Sequence, residues 1–111
     1  MAFNRKLAEK LLEHYKTVER LPSWSQNHCI AGTLYHMGEI HTPMLHALER
    51  VLSVSSEIGI NLYTLRSPHN TNNFKPFNML PDDEARRSVI VAMLEELIAS
   101  DGTKAQAQLP Q

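Results

Sequence analysis

The sequence predicts an all-α protein, a small helical bundle of about four helices with one long central helix. Two observations predict it. Apolar residues recur at steps of three and four through most of the 111 residues. Prolines and capping residues also punctuate those stretches where helices start and stop. With 42% hydrophobic and 21% charged residues, the composition is that of a globular protein rather than a disordered one. Residues 1–102 read as one domain, because a core of this size rarely splits, and 103–111 read as a disordered tail.

The first helix is expected over residues 3–21. Phe3, Leu7, Leu11, Tyr15 and Val18 form its apolar stripe, with Arg5, Lys6, Glu9, Lys10, Glu13 and Lys16 between them, and Pro22 ends it. Ser23-Trp24-Ser25-Gln26 fits a capping box that opens a second helix. Ile30, Leu34 and Met37 carry its short stripe, and Gly38 is placed to terminate it. Thr42-Pro43 opens the third helix, with Thr as N-cap and Pro at the first helical position. From there Met44, Leu48, Val51, Ser55, Ile58, Leu62 and Leu65 keep the three-four rhythm. They predict a helix of about 24 residues ending near Arg66, in which Gly59 marks a bend or a close crossing.

Ser67-Pro68 stops that helix, and residues 69–73 are polar and turn-forming. Residues 74–81 read as an irregular apolar loop holding Phe74, Phe77, Met79 and Leu80, which either lids its own core or docks a partner. The last helix begins near Pro81-Asp82-Asp83-Glu84, whose acids suit the positive end of the helix dipole. Val89 to Leu94 are consecutive apolar residues, followed by Leu97 and Ile98. They cover an arc of roughly 200°, against the ~100° stripe a surface helix needs. Ser100-Asp101-Gly102 closes the helix.

The charge balance argues against nucleic acid. Eleven Lys and Arg face twelve Asp and Glu, a net charge of −1, and counterion release needs a basic excess. Arg5-Lys6 and Arg86-Arg87 each lie near acids and read as solvated helix faces. The lone Cys29 excludes an internal disulfide. The first residues lack the apolar core of a signal peptide, and no run approaches the ~18–20 apolar residues that span a bilayer. A cytoplasmic protein without a membrane partner is expected.

Chemistry-bearing residues are sparse. His36, Glu39, His41 and His46, with Glu49, offer imidazole–carboxylate pairs one helical turn apart, the spacing that zinc and di-iron sites use. A five-residue step turns a helix by about 500°, however, so the three histidines cannot share one face of a continuous helix. A metal-binding protein or enzyme using this cluster is therefore an alternative; the leading expectation is no metal and no cofactor. His28-Cys29 adjacency does not bring a base onto a thiol, since neighbours on a helix point about 100° apart. No glycine-rich phosphate loop or nucleophile elbow is present, and an enzyme is not expected. A helix-turn-helix over residues 25–38 and 42 onward is a second alternative. Its second helix opens Pro43-Met44-Leu45-His46-Ala47, without the side chains that read bases or grip phosphates.

What is left is apolar surplus, which a two-fold homodimer or a protein partner would cover. The expected contact residues are Phe74, Phe77, Met79, Leu80, Val91, Leu94 and Ile98.

Three stretches carry a resemblance to a known family: Phe3-Asn4-Arg5-Lys6-Leu7-Ala8-Glu9-Lys10-Leu11-Leu12, Thr42-Pro43-Met44-Leu45-His46-Ala47-Leu48-Glu49-Arg50-Val51 and Asn73-Phe74-Lys75-Pro76-Phe77-Asn78-Met79-Leu80. With them the chain resembles the QslA-type quorum-sensing anti-activators of Pseudomonas. The resemblance implies a stoichiometric regulator. Such a protein binds the ligand-binding domain of a LuxR-type transcriptional activator such as LasR, occludes its dimer interface and so prevents DNA binding.

Overall fold

The computed structural model describes residues 2–17, 30–41, 45–67, 70–76 and 83–105. Five helices run in the order α1 (Arg5–Thr17), α2 (Ile30–His36), α3 (Leu45–Leu52), α4 (Ser56–Tyr63) and α5 (Asp83–Ala99). Between α4 and α5 lies an antiparallel ribbon of β1 (Thr64–Ser67) and β2 (Asn70–Pro76). The architecture is thus the expected helical bundle with one longer helix. The longest helix is α5, not the stretch from Thr42 to Arg66.

The core forms where α1 lies along α5. Leu7, Ala8, Leu11 and Tyr15 give α1 one buried face, as the stripe predicts. From α5 come Val89, Ile90, Met93, Leu94 and Leu97, with Leu34, Leu52 and Leu62 supplied by the shorter helices and Ile40 by the loop after α2. Asn4 caps α1: its Oδ1 accepts from the Leu7 N–H at 3.1 Å. Its own N–H donates to the Leu52 carbonyl at 3.1 Å, joining the start of α1 to the end of α3.

Three helix ends share one device, a residue in the left-handed region whose turn returns two N–H groups to the last helical carbonyls. Gly38 (φ 80) ends α2, with Glu39 N donating to Leu34 O and Gly38 N to Tyr35 O. Asp101 (φ 55) ends α5, with Gly102 N donating to Leu97 O and Asp101 N to Ile98 O. Ser53 (φ 55) ends α3, with Val54 N donating to Glu49 O and Ser53 N to Arg50 O.

This third cap overturns the expected 24-residue helix. Apolar periodicity continues through Ser53 because both flanking segments are helical, but the chain turns there. Ser55 then starts α4: its carbonyl accepts from Gly59 N at 2.9 Å, and its Oγ from Ile58 N at 3.5 Å. The same stretch ends in a strand, since Thr64 to Ser67 pair with β2 rather than completing a helix near Arg66. β2 in turn replaces the first part of the expected irregular loop. Gly59 does mark a close crossing: a Cβ there would overlap the Glu49 side chain of α3.

The sequence-based tail boundary also shifts. Ala105 is buried in the core, and Ser100 Oγ accepts from the Lys104 N–H at 2.9 Å, so residues 103–105 belong to the fold. The capping box at 23–26, the Thr42-Pro43 start and His28-Cys29 lie outside the described residues.

Candidate partner-binding surface

On a helix advancing 100° per residue, Arg87, Val91, Leu94 and Ile98 fall on one flank of α5. The fold treats them unequally. Leu94 has no exposure and belongs to the core, which removes it from the expected docking strip. Val91 and Ile98 are half-buried at the rim of the core and pack against it. The wide apolar arc of α5 is therefore largely consumed by its own bundle. Five of its residues are buried, and among the described residues the exposed large hydrophobic is Tyr35 of α2, at 44%. What survives of the expected surplus is the narrower margin of Val91 and Ile98.

Arg87 stands at the head of this margin and was misplaced by the sequence. Its neighbouring acids suggested a solvated face, yet its side chain is only 16% exposed. Nη2 approaches Glu84 Oε1 at 3.6 Å, beyond a good hydrogen bond, and both Nε and Nη2 are buried without an acceptor among the described residues. No pattern in the sequence distinguishes a half-buried arginine from an exposed one.

The far end of the margin is pinned. Arg5 Nη2 donates to the Ile98 carbonyl at 3.0 Å and to Asp101 Oδ1 at 3.0 Å, placing a cation over the carbonyl end of α5. Beside this end an open groove of about 890 Å³ runs between the start of α4 and the last turn of α5, lined by Ser55, Glu57, Glu96 and Lys104 among others.

The remaining expected residues separate. Phe74 is in β2, opposite Arg66 of β1. Phe77, Met79 and Leu80 lie outside the described residues. His36 and His41 are exposed, the His36 ring sits edge-on to Tyr35, and Glu39 pairs with Lys10 at 3.5 Å. His46 is in α3. Among the described residues no three His, Cys, Asp or Glu side chains are grouped to hold a metal ion. Among them, too, no helix is long and apolar enough to cross a membrane.

Comparison with protein-family models, with curated proteins and with solved structures finds no match for this chain.

Proposed function

We propose that this protein is a non-enzymatic anti-activator that binds a LuxR-type transcriptional activator, such as LasR, in the cytoplasm and blocks its dimerisation and hence its DNA binding. The sequence resemblance supplies the partner class. The observation that carries the binding role is the α5 margin, where half-buried Val91 and Ile98 stand in line with Arg87, whose buried Nε and Nη2 find no hydrogen-bond acceptor among the described residues. Aliphatic side chains at a core rim bury further area at little ordering cost, and arginine is enriched among residues that anchor interfaces. The protein itself is a homodimer in this reading, and the margin serves either the second copy or the activator.

The test combines purified protein with the ligand-binding domain of a LuxR-type activator. A complex of fixed stoichiometry, accompanied by loss of the activator's operator binding, supports the proposal. An activator that still dimerises and binds its operator with the protein in excess overturns it. So does stoichiometric zinc or iron in protein purified without chelators, which would favour the histidine cluster instead.

A further inference from the structure

We propose that residues 100–105 form a lid on the end of α5, latched by Arg5 and released by salt, which opens while the helix it caps stays folded. The lid is held together internally. Ser100 Oγ accepts from the Lys104 N–H at 2.9 Å, and Thr103 Oγ1 donates to the Ser100 carbonyl at 2.8 Å. These bonds tie positions 100, 103 and 104 into one turn. With Ser55 and Glu57 at the start of α4, that turn lines the groove of about 890 Å³.

Little apolar surface fastens the lid to the body of the protein. Among its six residues the one apolar side chain is the methyl of Ala105, which is buried, while Asp101, Thr103 and Lys104 are exposed. Gly102, at φ 89, seats on Phe3 because it has no Cβ to strike the phenylalanine side chain. Two backbone bonds return to the helix, from Asp101 N to the Ile98 carbonyl and from Gly102 N to the Leu97 carbonyl. The helix itself is anchored by Val89, Ile90, Met93, Leu94 and Leu97, all buried. Segments with few buried apolar contacts open at lower free energy than the elements they adjoin. The end of α5 therefore opens separately from its middle.

The latch is Arg5. From the first turn of α1 its Nη2 donates to Asp101 Oδ1 and to the Ile98 carbonyl, both at 3.0 Å, bridging lid and helix. The Asp101 side chain is 77% exposed and that of Arg5 46%, so the bridge lies in solvent. Charge attraction is modest there and is screened by salt. Glu9 stands one turn along α1, its Oε1 4.0 Å from Arg5 Nη1, and keeps a carboxylate beside the guanidinium when Asp101 is released. A cation with two such partners can leave one of them at small cost. Opening bares Phe3 and Ala105 and widens the groove at the end of α5 where Ile98 stands.

Hydrogen–deuterium exchange of the full chain, read residue by residue by NMR, tests this. Between 10 mM and 1 M sodium chloride the screening length falls from about 30 Å to about 3 Å. The amides of Asp101, Gly102 and Lys104 should exchange faster than those of Met93 and Leu94 in both buffers. Relative to those two reference amides, they should also exchange roughly fivefold faster at high salt than at low salt. Arg5→Met should show the high-salt rate in either buffer, and Arg5→Lys should recover part of the salt dependence. If Arg5→Met fails to fold, the salt series on the parent chain decides alone. The proposal is overturned if the lid amides exchange together with Met93 and Leu94, or if salt leaves their relative rates unchanged. Low-salt protection that survives in a folded Arg5→Met protein overturns it as well.

Discussion

The hydroxyl of Tyr15 on α1 and Oγ1 of Thr33 on α2 lie 2.8 Å apart, both in the buried core. This is a polar link between the two helices, placed within the core. Tyr15→Phe or Thr33→Val alone removes this buried hydrogen bond and should cost about 1 kcal/mol. The double variant should cost less than the sum, with a coupling of about 1 kcal/mol in urea unfolding. Strict additivity would show that the two groups do not share a bond.

The α5 margin separates folding from binding. Leu94→Ala should destabilise by about 2–5 kcal/mol, and Leu94→Asp should unfold the chain, because the site has no exposure. Val91→Asp, at the half-buried rim, should keep the helical circular dichroism while abolishing dimerisation or activator capture. Sedimentation of Val91→Asp as an unchanged dimer that still binds the activator contradicts the assigned interface.

Arg87 offers a test with the opposite sign. Among the described residues its buried Nε and Nη2 find no hydrogen-bond acceptor, with the Glu84 carboxylate 3.6 Å from Nη2, so desolvation of the guanidinium is incompletely offset there. Arg87→Met keeps the aliphatic stem and should be neutral or stabilising by about 1 kcal/mol. If the residue anchors the partner, activator affinity falls at the same time. Thermal unfolding and a binding titration on one variant read both effects, and a stability loss above about 2 kcal/mol would mean the arginine is well satisfied.

At the α3–α4 crossing, Gly59→Ala should destabilise by about 1–2 kcal/mol although alanine is the better helix former, because its methyl meets the Glu49 side chain. Adding Glu49→Ala removes the obstruction, and the double variant should recover most of the loss. A Gly59→Ala protein more stable than the parent would show that Glu49 swings aside freely.

These contacts separate what is local from what is not. Helix content, the buried stripe of α1, the core face of α5, and the caps at Gly38 and Asp101-Gly102 follow from periodicity and capping chemistry within a few residues. The break at Ser53 does not, because serine in the left-handed region carries no sequence signature comparable to glycine, and the apolar rhythm continues across the turn. The ribbon was hidden for a related reason. Thr64 to Ser67 complete a helical pattern until β2 offers them hydrogen-bonding partners distant in sequence.

The candidate surface was only partly foreseeable. Val91 and Ile98 were legible as apolar flank, but the withdrawal of Leu94 into the core and of Arg87 from water depends on which neighbours cover α5. Composition and spacing settle which residues can be helical and which face is apolar, since both properties reside in short stretches of chain. How much of that face stays open, and where a helix yields to a turn, is set by long-range packing, since burial is a property of the assembled neighbours and not of the residue.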